Sequence, residues 1–313
     1  MILVYAAGTL VGLGIAIWAS RFALNAAIDA GELLGVRPFV LGVTVVAVGT
    51  DLPEMANSIV ASATDHGDLN VGDSIGSVVT QMTLVLGILA LSGKIFSEPR
   101  SVIVTGGLTV AALLLGAVLI ADRQFSRLDG AILITFWIVG SLTLRRREPA
   151  GSGAQLARES PPPHSSSSIA RVVAITIGFL AIVGAGAAIA VESFSRAVLS
   201  FGAPEYLLSF FVLALGTSLP ELVVDAQALR RSEGELAMGD VLGSSFVDAT
   251  LSPGIGPLLF PTALGAGLVR GSLVVAVVIA VVTALVARDR VQRRSTGLVL
   301  ILLYLALYPA LIT

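Results

Sequence analysis

The chain contains no cysteine, which removes disulfides and thiolate metal ligation from consideration and leaves the redox compartment unreadable. It has two histidines, His66 and His164, both in segments that read as loops, so imidazole ligation is scarcely on offer either. Charge is sparse: 13% of residues are Asp, Glu, Lys or Arg, against roughly 25% in an average soluble domain. No basic residue precedes the first apolar run within Met1 to Thr9, so a cleaved signal peptide is not expected and the first apolar helix is retained. The period-2 alternation of a membrane barrel is missing as well. The net charge of −2 favours no class of partner, and nothing points to nucleic acid.

What remains is apolar. Hydrophobic residues make up 55% of the chain and mean hydropathy is +0.93, the composition of an integral membrane protein. Apolar stretches near the roughly 20 residues needed to span a bilayer fall near residues 2–20, 38–64, 70–92, 101–121 and 128–144, and again near 169–192, 206–229, 236–260, 267–287 and 297–313. The expectation is an all-α membrane protein of ten transmembrane helices.

The chain also repeats itself. Ala47-Val48-Gly49-Thr50-Asp51-Leu52-Pro53-Glu54 returns 167 positions later as Ala214-Leu215-Gly216-Thr217-Ser218-Leu219-Pro220-Glu221, and the register holds without a gap. Residues 47–88 and 214–255 share 17 identities in 42 positions. The repetition divides the chain into residues 1–146 (five helices), 147–168 (a linker) and 169–313 (five helices). The linker follows Arg145-Arg146-Arg147 and carries Pro161-Pro162-Pro163 and Ser165 to Ser168, the composition of a flexible polar tether. If the linker is cytoplasmic, alternation puts 15 of the 19 basic residues inside and both termini outside, as the positive-inside rule demands of a multi-pass cell-membrane protein. Five helices per half is an odd number, so the halves lie upside down relative to each other. Inverted repeats of this kind place ions at broken helices near the midplane and alternate access between the two sides.

Proline inside a helix removes a donor and displaces the carbonyl four residues back. Pro53 therefore frees the carbonyl of Gly49, and Pro220 that of Gly216. Beside these oxygens stand the hydroxyls of Thr50, Thr217 and Ser218 and the carboxylates of Asp51, Glu54 and Glu221. A second element in each half spaces Ser77 from Gln81 and Ser244 from Asp248 by four residues, one helix face apiece. The hydroxyls could instead bond back to their own helices. Asp73 and Asp240 could cap helix starts or act as ligands, and Asp225 and Glu192 read as interfacial. A buried carboxylate is costly unless compensated, so Glu54 and Glu221 carry the strongest signal. Oxygen-only ligation indicates a hard cation, and a flexible many-oxygen site suits Ca²⁺ better than Mg²⁺.

With these motifs the chain resembles the calcium/cation antiporter superfamily, most closely the prokaryotic sodium/calcium exchanger branch. The family pattern G-T-S-x-P-E followed by G-[ND]-x-x-G-S-x-x-x-[ND] appears in the second half as Gly216 to Glu221 and Gly239 to Ser244 with Asp248. In the first half Asp51 replaces Ser, and Gln81 replaces Asn or Asp. The resemblance implies a calcium site at Glu54 and Glu221, and flanking sodium sites using Thr50, Ser77, Thr217, Ser218, Ser244, Asp248 and the carbonyls of Ala47 and Ala214. It implies that the Gly/Ala-rich helices within Tyr5 to Ser20 and Ile177 to Val191 slide as a gate. The function expected is Ca²⁺/Na⁺ antiport, with H⁺-coupled antiport as the alternative; a channel or an intramembrane acid-dyad enzyme is a remote one. No cofactor and no obligate protein partner are implied, only lipid and the transported ions. Asp51 and Gln81 break the symmetry, and Asp51 is expected to alter either stoichiometry or driving ion.

Overall fold

The computed structural model describes residues 2–92, 95–96, 98–146, 169–200, 218–265 and 267–312. The first half comprises α1 (Ile2–Leu34), α2 (Pro38–Thr50), α3 (Leu52–Ala63), α4 (Gly67–Leu91), α5 (Pro99–Leu119) and α6 (Arg127–Arg146). The second comprises α7 (Ile169–Ser200), α8 (Leu219–Arg230), α9 (Gly234–Asp248), α10 (Leu251–Leu259), α11 (Leu268–Val286) and α12 (Arg294–Ile312). Among the described residues six helices are long and apolar enough to cross a membrane, and the bent pair α2/α3 makes a seventh span. The all-α membrane architecture is as expected.

Several boundaries differ from the expectation. The first helix continues past residue 20 to Leu34, ending at Gly35 with a positive φ of 61°. Residues 206–217, the first half of the expected seventh span, lie outside the described residues, as does the linker 147–168. The eighth span, expected over 236–260, is two helices separated at Ala249 and Thr250. Pro253 explains the break, because it has no N–H to offer the carbonyl of Ala249 and its ring excludes that carbonyl. Thr250 takes φ −138° and ψ −76° as a result. Position 86, the counterpart of Pro253, is Leu, and there α4 stays continuous through a π-helical turn over Gln81–Val85.

The inverted repeat extends well beyond the motifs. On one face Gln124 and Phe125 (β1) pair antiparallel with Ala263 and Thr262 (β2). On the other face Phe96 bridges Val291. Adding 167 to Phe96 gives Ala263, and adding it to Gln124 gives Val291, so the bridge is the symmetry mate of the ladder. The same offset relates two backbone-to-backbone helix contacts, Gly87 with Gly297 (α4 on α12) and Gly254 with Gly130 (α10 on α6). Each contact joins one half to the other, so the halves interlock as a single body.

Polarity is distributed as lipid requires, with apolar residues outward and polar ones inward. Leu10, Val118, Val277 and Leu302 are between 63% and 72% exposed. Thr50, Asp51, Gln81, Glu221, Asp240 and Ser244 are 0% exposed. At the centre α2 crosses α9 at glycines: Gly42 lies against the backbone of Leu236 and Asp240, Gly239 against Phe39, and Gly243 against Val43. Here only glycine fits, since a β-carbon would meet main chain that cannot move aside.

Gly243→Ala therefore wedges the two halves apart where they carry the buried polar residues. Overpacking of this kind costs about 1–3 kcal/mol. Thermal unfolding followed by size-exclusion fluorescence should show a clear loss for Gly243→Ala. Gly14→Ala, where nothing lies within 4 Å of the added carbon, should leave the midpoint unchanged.

Candidate functional site

The second span breaks at Asp51, whose φ of −81° and ψ of 7° end α2, and α3 departs at 46°. Pro53 occupies the first turn of α3, where its missing N–H has no partner to lose. Ser218 plays the same part ahead of α8, with φ −98° and ψ 14°, and Pro220 follows it. Both breaks point a helix N-terminus into the protein, one from each half. Glu54 and Glu221 sit in the first turns that follow. The positive end of the helix dipole faces their carboxylates there.

Asp51, Glu54 and Glu221 converge: each offers an oxygen within 4.8 Å of the others, and all three are buried. Three carboxylates thus meet in a small volume, and none of their six oxygens has a hydrogen-bond partner of good geometry among the described residues. Nor does any described Arg or His form an ion pair with them. Removing one such carboxylate from water costs several kcal/mol, and three together add mutual repulsion. Only cations or protons can compensate them. Asp248 stands close enough for its charge to be felt by Asp51 and Glu54.

Around this core the third and eighth spans supply neutral oxygens. Gln81 Nε2 donates to Asp248 Oδ2 at 3.0 Å, and Ser245 Oγ donates to Gln81 Oε1 at 3.1 Å. Gln81 and Asp248 are symmetry mates 167 residues apart, so this bond lies on the local twofold axis. Thr50 Oγ1 lies 3.3 Å from Ser244 Oγ, and also 3.1 Å from the carbonyl of Ala47 and 3.3 Å from that of Val46. The back-bonded and cross-helix roles of Thr50 therefore coexist. The carbonyl of Ala47 also accepts from Asp51 N at 3.0 Å. Ser77 Oγ and Ser218 Oγ are buried with no hydrogen-bond partner among the described residues.

Of the twelve residues expected to form the site, Ala214 and Thr217 lie outside the described residues. Three of the other ten, Asp51, Glu54 and Glu221, make up the carboxylate cluster itself. Gln81 with Asp248, and Thr50 with Ser244, are drawn together from opposite halves. Ser77, Ser218 and Ala47 are buried on the same broken or π-turned elements. Two readings of neighbouring residues fail. Asp225 is not interfacial: it is 0% exposed, because it lies one turn beyond Glu221 on the inward face of α8. Asp73 and Asp240 do not cap helix starts, since each lies in the interior of its helix, α4 or α9. Asn57 Nδ2 donates to Asp73 Oδ2 at 2.7 Å. Ser245, which holds Gln81, was not anticipated. Its only signal is a hydroxyl one residue beyond the motif.

The long helices α1 and α7 adjoin the breaks. Gly12 on α1 lies against Gly186 and Ala190 on α7, and Leu180 and Gly184 of α7 reach Gly49 and Pro53. Small residues thus let α7 rest directly on the turn that holds Asp51.

Comparison with known proteins agrees with this geometry. The sequence profile described as Sodium/calcium exchanger protein matches residues 4–144 and again residues 171–312. CaxA of Alkalimonas amylolytica is 29% identical over 263 residues, covering 82% of this chain and 81% of its own. The Sodium/calcium exchanger MaX1 of Methanosarcina acetivorans is 24% identical over 333 residues and 95% of each chain. Among solved structures, the sodium-calcium exchanger NCX_Mj superposes with a TM-score of 0.77 over 99% of both chains at 24% identity, which establishes a shared fold. The profile spans nearly all of both halves, and the chain belongs to the sodium/calcium exchanger protein family, a family of cation antiporters.

Proposed function

We propose that this protein exchanges Ca²⁺ for Na⁺ across the cell membrane by alternating access. Ca²⁺ is held between Glu54 and Glu221, and Na⁺ by the surrounding oxygens of Thr50, Ser77, Thr217, Ser218, Ser244, Asp248, Gln81 and the carbonyls of Ala47 and Ala214. The observation that carries this reading is the convergence of Asp51, Glu54 and Glu221, buried and with no hydrogen-bond partner for their oxygens among the described residues. Oxygen-only donors select hard cations. Shared ligands make the ions compete, and an empty site carries uncompensated charge in a medium where that is costly. Reorientation therefore occurs only when the site is filled, which produces exchange and suppresses leak. MaX1 is a sodium/calcium exchanger by name, and NCX_Mj is a sodium-calcium exchanger whose structures were soaked with Na⁺ and Sr²⁺ or Ca²⁺, which supports the same ion pair here.

In this reading α1 and α7 slide together as the gate, because they touch the breaks through small residues. The linker 147–168 is cytoplasmic and both termini are outside. Loop contacts support the alternation on which that orientation rests: Arg37 binds Glu235 and Gln292 N donates to Ile95 O at one end of the molecule, while Thr262 binds Asp65 and Gly265 binds Asp68 at the other.

A specific observation favours a second reading, proton-coupled Ca²⁺ antiport. Asp51 adds a third carboxylate where the matching residue of the second half is Ser218. Calcium-45 uptake into proteoliposomes separates the two. Uptake that requires internal Na⁺ supports sodium exchange, and uptake driven by a pH gradient without Na⁺ assigns the coupling to protons.

A further inference from the structure

Beyond the central site lies a second pair of buried acids that the proposed exchange does not use. Asp225 on α8 and Asp240 on α9 are both 0% exposed and adjoin each other. None of their four oxygens has a hydrogen-bond partner of good geometry among the described residues, and the Ser244 hydroxyl stands beside Asp240. Each lies four residues from a member of the central site, Asp225 from Glu221 and Asp240 from Ser244. One helical turn, about 5.4 Å of rise, therefore separates the pair from the centre on both helices. The direction is toward the loop that carries Arg230 and Arg231.

The first half contains its own control. The counterpart of Asp225 is Ser58, whose hydroxyl accepts from Gly256 N at 3.1 Å. The counterpart of Asp240 is Asp73, which accepts from Asn57 at 2.7 Å. Asn57 is replaced in the second half by Val224. The second half has thus gained a carboxylate and lost the amide that would satisfy its neighbour. Two unpaired buried carboxylates are sustained only by a cation between them or by protons.

We infer that Asp225 and Asp240 form a second hard-cation site, one helical turn from the central site toward the Arg230/Arg231 face, taking Na⁺ or Ca²⁺. Its position makes it a staging point for an ion entering or leaving the centre, and only that transport role rests on the proposed exchange. With both acids fully buried, the site is closed to solvent in this conformation and communicates with the centre along α8 and α9.

Equilibrium dialysis of the purified protein with sodium-22, and separately with calcium-45, tests this by counting ions bound at saturation. Val224→Asn combined with Asp225→Ser transplants the first half's arrangement and should lower the count by one in one of the two arms. Asp240→Asn should do the same, and a monodisperse size-exclusion profile certifies each fold. Glu54→Gln/Glu221→Gln should empty the centre yet retain the extra ion. Equal counts for wild type and both pair variants, in both arms, would overturn the inference and assign a shared proton to the pair. Loss of the extra ion in Glu54→Gln/Glu221→Gln would overturn it as a separate site. An unchanged total in that variant would instead refute the central site while leaving the second one standing.

Discussion

Replacing Glu221 by Gln is expected to abolish calcium-45 uptake while making the ion-free protein more heat-stable. The two effects have one cause. Glu221 is 0% exposed and neither of its carboxylate oxygens has a hydrogen-bond partner among the described residues. An uncompensated buried charge opposes folding, so its removal stabilises the empty protein. The same charge faces the bound ion in low dielectric, and breaking a buried ion pair by removing one partner costs about 3–5 kcal/mol. At 1.4 kcal/mol per factor of ten, calcium affinity falls by about two to three and a half orders of magnitude. Thermal shift assays read both consequences. Wild type should gain stability as Ca²⁺ is added, by about 2.7 kcal/mol at a hundred times the dissociation constant. Glu221→Gln should start higher and lose the part of the gain that the central site supplies. A variant that transports normally, or whose response to Ca²⁺ equals that of wild type, would remove Glu221 from the site. Glu54→Gln should match it, since the two residues are symmetry mates.

The second large effect is expected at Asp51. With Asp248 nearby, the centre holds four carboxyl groups, and one Ca²⁺ balances two of them. The remainder must be met by Na⁺ or by protons, so Asp51 sets how many further charges travel or stay behind. Asp51→Ser restores the residue found at the matching position, Ser218, and removes one of those charges. Uptake driven by a pH gradient should fall about tenfold relative to uptake driven by a Na⁺ gradient, the equivalent of about 1.4 kcal/mol of differential interaction between the two protonation states. The ratio of charge moved to Ca²⁺ moved, measured by solid-supported membrane electrophysiology, should change with it. If neither ratio moves, Asp51 is peripheral to coupling despite its place in the cluster.

Much of this was written in the chain. The doubled motif marked Glu54 and Glu221, and the rule that proline frees a carbonyl marked the breaks at Asp51 and Ser218. The same rule applied to Pro253 marks the break at Thr250, which has no counterpart at Leu86 in the first half. Asp225 lies close to a helix end in sequence, yet its spacing of four from Glu221 places both on one face. Other features have no local signal. The bond between Ser245 and Gln81 joins residues 164 apart, and only the crossing of helices from opposite halves creates it. The π turns at Gly42–Val46 and Gln81–Val85 answer to packing, not to any residue preference.

The break at Thr250 has a bearing on energetics. Were the two halves identical, the conformations open to either side would be related by the twofold axis and equally populated in the absence of ions. Here the third span flexes through a π turn where the eighth is cut in two at Pro253, so the paired conformations no longer have equal free energy. A difference of 1.4 kcal/mol already gives a tenfold bias. On the proposed alternating access, Pro253, which the first half lacks, is therefore one source of a resting bias that exists before any gradient is applied.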